Sequence, residues 1–316
     1  LQGDYEPIKR LIAPKKLQIY TLNGQYQLKQ NGHVGFNLGL SQYDQNLFSK
    51  LDDGNNSGLA TRIYGEKSFD FKNWKITPFI EWNYINKNYK SAERLRSVEF
   101  ARDFNLENEL SGVDQNFITA KISSSWKEKF TSQYKFDYLE NTGLYKGLRN
   151  QIEAKYNTQK DEIIAQANIL STKATMQNTR FSRYMIDGKR KIGSKFWVGA
   201  RVWGENNEMD DLVLNKKSEL SFKWNEIQAK AGFLDSLGHK IDLTIYQRQD
   251  DSIRLNSWQN IQKSKGLIFN STLIQKADHQ LNVNFHYRKV NYQFLNTPDE
   301  EFMTGNVKWY KAFFNQ

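Results

Sequence analysis

The chain predicts an all-β fold: an antiparallel meander that forms a transmembrane β-barrel or part of one. Three observations carry that expectation. Apolar residues recur at every second position in many short stretches, and turn-forming dipeptides separate those stretches. No run of about 18 apolar residues exists from which a membrane helix is built.

The stripes come in order along the chain. Val34, Phe36, Leu38 and Leu40 alternate with His33, Gly35, Asn37 and Gly39. Trp74, Ile76, Pro78, Ile80, Trp82 and Tyr84 follow, opposed by Lys75, Thr77, Phe79, Glu81 and Asn83. Phe130 to Tyr138, Ile163 to Ile169, Phe196 to Val202 and Leu281 to Tyr287 repeat the pattern. A spacing of two puts each set on one face of an extended strand, whereas a helix needs spacings of three and four. Asn23-Gly24, Asn31-Gly32, Asp53-Gly54, Asp187-Gly188 and Leu237-Gly238 are read as turns, because positive φ comes easily there. Short connections favour antiparallel hairpins. About 10 residues per strand plus a turn gives roughly 16 to 20 strands. Proline agrees: its four copies are Pro7, Pro14, Pro78 and Pro298, which leaves the stretch between the last two free of a ladder breaker.

Residues 1–15 read as an extended leading segment or linker, and 16–316 as a single antiparallel β domain. The start at Leu1, without Met or a signal peptide, suggests a mature form or an excised part of something longer. No repeat of fixed length argues for a propeller or solenoid.

Composition narrows the class. The 316 residues hold no Cys, which excludes disulfides, thiolate metal sites and cysteine nucleophiles. Aromatic residues make up 14%, too many for a disordered chain. The formal charge of +10 is dispersed among acidic residues rather than gathered on a stretch, so nucleic acid is not an expected partner. The densest basic run, Lys189-Arg190-Lys191, sits beside Gly188 in what reads as a turn.

A soluble β-sandwich or sheet stack also explains one-sided stripes, with the apolar face packed inward. The barrel is favoured by the polar opposite face, by aromatics flanking the stripes, and by small residues within them such as Ser132, Ala165, Ala167 and Ala200. Arg183, between Phe181 and Met185, speaks against it, because a naive reading turns it toward lipid at about 2–4 kcal/mol.

The run 41–60, Ser-Gln-Tyr-Asp-Gln-Asn-Leu-Phe-Ser-Lys-Leu-Asp-Asp-Gly-Asn-Asn-Ser-Gly-Leu-Ala, resembles the hairpin and loop of large β-rich outer-envelope proteins of Bacteroidota. The run 96–104, Arg-Ser-Val-Glu-Phe-Ala-Arg-Asp-Phe, is similar to a recurrent phrase of the same group. The resemblance covers under a tenth of the chain. It implies an outer-membrane or surface location and supplies no functional residues.

Candidate sites are few. His33, His239, His279 and His286 show no ligand spacing, and the last two have opposite strand parity. Asp52, Asp53 and Asn55 are the best oxygen-ligand candidates for calcium, against a surface turn that caps its own backbone. Glu99 and Asp103 are the candidate catalytic carboxylates, with Glu81 in a neighbouring strand-like segment and Trp82 as a ring to stack a sugar. Glu99 and Asp103 equally suit ion pairs with Arg96 and Arg102. No GxSxG elbow, Walker loop or dinucleotide fingerprint occurs, and no cofactor is expected.

The functional expectation is a non-enzymatic outer-membrane barrel for solute passage or for scaffolding a surface complex. Its partners would be outer-membrane lipid and other envelope proteins. The alternatives are a soluble cell-surface sandwich that binds glycan or protein, and a carbohydrate-active enzyme.

Overall fold

The computed structural model describes residues 13–29, 31–51, 53–97, 99–106, 112–276, 278–293 and 297–312. Its strands are β1 (Lys16–Leu28), β2 (Gly32–Asp44), β3 (Ser57–Lys67), β4 (Phe69–Phe71), β5 (Trp74–Ile85), β6 (Gln115–Trp126), β7 (Phe130–Asn141) and β8 (Tyr145–Asn157). They continue as β9 (Asp161–Ala174), β10 (Gln177–Ile192), β11 (Phe196–Asp211), β12 (Lys216–Lys217), β13 (Phe222–Leu234), β14 (Lys240–Arg254), β15 (Ser257–Gln275), β16 (His279–Tyr292) and β17 (Glu300–Lys311). One short helix, α1 (Phe100–Asp103), lies between β5 and β6.

All seventeen strands belong to one sheet, and every recorded pairing is antiparallel between successive strands. Two are fragments. β12 pairs only with the end of β11. β4 continues β3 against β5 in unbroken register, and the gap at Ser68 lies beside Pro78, which has no N–H for the ladder. An even number of antiparallel steps leads from β1 to β17, so these two run in the same direction. Among the described residues they form no ladder with each other.

The two ends of the sheet differ. At one end the connections are tight, from two residues at 72–73 to five at 235–239, and are turned by positive φ at Asn31, Lys72, Lys127, Gly193 and Gly238. At the other end lie the long connections 45–56, 86–114 and 212–221 beside tight ones such as 255–256. Long loops on one side and short turns on the other are the pattern of outer-membrane-type barrels.

Two predicted turns are strand interior. Asn23-Gly24 lies within β1 and Asp187-Gly188 within β10, so Lys189 to Lys191 are strand residues too. Gly24 is needed for space rather than for a turn: a Cβ there would sit 2.4 Å from Cε1 of Phe36 on β2. Residues 1–12 of the expected leading segment lie outside the described residues, and the first strand, β1, starts at Lys16.

Candidate functional site: the polar face and the segment folded onto it

Following the registers from strand to strand assigns every side chain to one of two faces. Val34, Trp74, Phe130, Ile163, Phe196 and Leu281 all fall on the same face, so the six stripes read from the sequence join into one belt. The belt is uncovered. Ile80 and Ile227 are each 61% exposed and Trp309 is 62% exposed, and Leu22, Ile63, Ile122, Ile152, Ile186 and Ile245 are exposed with them. On β5 it runs from Trp74 to Trp82, about 26 Å along the strand and on the order of 20 Å once tilted by about 40°, near the height of a barrel's apolar band. Trp74, Trp126, Phe130, Tyr156, Phe196, Phe233 and Trp309 mark its short-turn rim. Trp82, Tyr138 and Tyr184 lie toward the loop end.

The opposite face is charged at the same depth. Arg62 Nε donates to Glu81 Oε2 at 2.8 Å, and Lys135 lies 3.0 Å from Asp137. Arg183 pairs with Glu205 at 2.7 Å, Lys230 donates to Asp187 at 2.6 Å beside Arg201, and Arg248 pairs with Asp250 at 2.7 Å. Trp203 Nε1 donates to Glu226 at 3.0 Å. Arg183 therefore does not face lipid. It shares the polar face with Phe181 and Met185, and the expected penalty does not arise.

The described residues of segment 86–114 (86–97, 99–106 and 112–114) fold across this polar face. Its Phe104 packs with Phe117, Leu139, Tyr145 and Leu170, all polar-face positions of β6 to β9, in a buried apolar cluster among the described residues. Tyr145 Oη donates to the Phe104 carbonyl at 2.5 Å, and Arg149 Nη1 donates to Asp103 Oδ2 at 3.1 Å. Arg96 lies over the rings of Phe100 and Phe117, at 4.9 and 4.6 Å, and donates to Gln115 Oε1 at 2.7 Å. Burial pulls its guanidinium down to about 10, and the nearby Glu81 carboxylate pulls it back up, so it stays charged at neutral pH. At β2 and β3 the segment touches backbone. A Cβ on Gly58 would stand 2.2 Å from the Tyr89 nitrogen, and the Lys90 N–H donates to Ser41 Oγ at 2.9 Å.

The sequence-predicted sites scatter. Glu99 and Asp103 flank the short helix rather than lying on strands. Glu99 pairs with Arg102 at 2.8 Å, while Asp103 faces Arg149, whose partnership no local spacing announces. Glu81 is committed to Arg62, and Trp82 points to the opposite, apolar face, so the two do not share a sugar site. Asp53 Oδ1 accepts from Asn56 Nδ2 at 2.9 Å within its own turn, and Asn55 ends that turn. Asp52 lies outside the described residues. Among the described residues no group of three or more His, Asp or Glu is placed to hold a metal ion.

Fold and site thus define an all-β antiparallel sheet with an uncovered apolar belt on one face and a charged, partly plugged surface on the other. No family model and no curated protein matches the chain. Among solved structures it is similar to OmpTΔL8, a loop L8 deletion mutant of OmpT, an outer membrane protein of Vibrio cholerae. The identity is 9%, the TM-score 0.39, and the match covers 94% of this chain and 99% of that one. A likeness at this level carries no activity across. The expectation of a non-enzymatic protein is withdrawn on other grounds. It rested on missing sequence motifs, and the sheet assembles its polar groups from strands far apart in sequence: Asp187 meets Lys230, and Arg149 meets Asp103.

Proposed function

We propose that the chain forms the wall, or part of the wall, of an outer-membrane β-barrel, with lipid against the apolar belt. The polar face then lines a water-filled passage, narrowed by segment 86–114. One observation carries the reading: one face of the sheet presents a largely apolar, uncovered belt while the other is laced with ion pairs. A soluble sandwich buries such a belt under a second sheet, and here all strands belong to one sheet. In water an exposed apolar surface of this extent is an aggregation site, whereas in hydrocarbon it needs no cover. The long loops face one side of the membrane and the short turns the other.

The test is reconstitution. Protein folded into lipid vesicles is expected to migrate differently on gels before and after heating, and to release small hydrophilic solutes from the vesicles. A monodisperse preparation free of detergent and lipid sinks the membrane reading. Insertion without solute release keeps the barrel and removes the passage.

A further inference from the structure

On the apolar face, β13 to β16 change character toward the loop end. Ile227, Ile245, Leu267 and Tyr287 belong to the belt, and two residues further toward the loops stand Asn225, Gln247, Lys265 and Lys289. Asn225, Ile227, Ala229, Ile245, Gln247 and Lys265 line a shallow groove of about 650 Å³ that crosses from the belt to this polar margin. We propose that the groove binds an anionic phospholipid, with an acyl chain along Ile227, Ala229 and Ile245 and the phosphate at Lys265. The proposal rests on the reading of the belt as lipid-facing and names one lipid class that it holds.

Charge placement is the first reason. Lys263 and Lys265 are exposed on this face of β15, and Lys265 stands directly opposite Lys289 on β16. Like charges so placed repel, and a phosphate shared between them turns the repulsion into attraction. Glu301 and Asp299 lie 3.1 and 3.9 Å from Lys289, but they belong to β17 and the loop before it, on the side away from β15. Asp251, on this face of β14, is held by Gln249 and Asn260 at 3.0 and 2.7 Å. The second reason is hydrogen bonding. Tyr184 Oη donates to Asn225 Oδ1 at 2.6 Å, which fixes that amide and leaves its Nδ2 to donate, and Gln247 is exposed beside it. The third reason is shape. Ala229 lies two residues from Ile227 and opposite Ile245, so its short side chain sinks a trough between two exposed isoleucines. On β5, β7 and β10 the loop-side margin is drawn instead by Trp82, Tyr138 and Tyr184. Lysines at headgroup level above an apolar trough suit a lipid that carries a phosphate.

The experiment is native mass spectrometry of the detergent-solubilised protein, titrated with dioleoyl phosphatidic acid or dioleoyl phosphatidylcholine. Saturable one-to-one binding of phosphatidic acid is expected, at least about tenfold tighter than phosphatidylcholine and at least about tenfold weaker in Lys263→Gln/Lys265→Gln. A second double variant, Lys146→Gln/Lys173→Gln, removes the same charge from the same face of β8 and β9. It should leave the affinity within about twofold, since surface attraction falls off over roughly a Debye length. Absent saturable binding, or an equal loss in both double variants, overturns the proposal. So does displacement of the lipid by equimolar glycerol 3-phosphate, which carries the phosphate and no chain. All four lysines are exposed, so the variants keep the packing of the sheet. Insertion into vesicles is read on the same preparations from the change in gel migration on heating. Insertion without selective lipid binding removes the site alone, and failure to insert removes the membrane reading and the site with it.

Discussion

Arg149 and Asp103 are 46 positions apart in sequence, yet their side chains meet at 3.1 Å and tie the helix of segment 86–114 to strand β8 on the polar face. Arg149 is largely buried and also donates to Asn168 Oδ1 at 3.1 Å, while Asp103 keeps partial contact with water. Replacing Asp103 with Asn leaves a buried guanidinium without its counter-charge. The expected local cost is about 1–2 kcal/mol, discounted for the solvent that reaches Asp103. In planar bilayers the variant should show a larger or noisier single-channel conductance than the parent. Conductance identical in mean and variance would mean that the segment does not narrow the passage.

Gly58 tests the same docking from the other side. An added Cβ collides with the Tyr89 backbone, which unlike a long side chain has no free end to swing away. Gly58→Ala should lower the unfolding midpoint by an amount corresponding to about 1–3 kcal/mol and raise the protease sensitivity of segment 86–97. Unchanged proteolysis would contradict the packing.

The two faces predict different tryptophan environments. In vesicles containing bromine-labelled acyl chains, single-tryptophan variants retaining Trp74, Trp126 or Trp309 should be strongly quenched. Trp203 lies on the polar face within 4.7 Å of Trp224 and should be quenched little. Equal quenching at all four positions would refute the facial assignment.

Charge placement gives an energetic counterpart. Ile80→Lys puts an ammonium inside the belt, between its middle and the Trp82 rim, and should reduce folding stability in bilayers by about 1–3 kcal/mol. Ser123→Lys, on the polar face of the adjacent strand, should cost less than about 1 kcal/mol because its head stays in water. Chemical unfolding in lipid measures both, and a reversed order would place lipid on the other face.

The short-turn end carries a pH-sensitive element. Loss of hydration pushes the Asp235 carboxyl up, but hydrogen bonds from the His239 imidazole and from the His239 and Leu237 N–H groups outweigh this and hold it below its ordinary value. A lowered folded value means that the turn's stabilisation is complete above the unfolded value of about 3.9 and is lost as the pH falls through the folded one. Amide exchange at Leu237 and His239 should therefore stay slow through neutral and mildly acidic pH and accelerate only below about pH 4. Acceleration already at mildly acidic pH would contradict this assignment.

Strand identity was legible because side-chain period is a local property. Trp74 to Tyr84 and Phe196 to Val202 need no partner to declare themselves strands, and the stripe of each follows from alternation alone. Turn reading was weaker. Asn31-Gly32 and Leu237-Gly238 do turn, whereas Asn23-Gly24 and Asp187-Gly188 do not, because glycine also serves where a neighbouring ring crosses the strand, as Phe36 crosses Gly24. Arg183 misled for a related reason. Phe181 and Met185 looked like a lipid stripe, but the strand's phase is fixed by its pairing with Glu205, Trp203 and Asn207.

The sequence by itself determined that this protein is an antiparallel β meander with one apolar and one polar face, since alternation and turn chemistry act over a few residues. Only the tertiary structure decided that the apolar face stays uncovered, and that segment 86–114 turns back onto the polar one. It alone joined Asp103 to Arg149 and laid Arg96 over the rings of Phe100 and Phe117. Those facts depend on registers accumulated across many strands and on contacts between residues tens of positions apart, which no local pattern encodes.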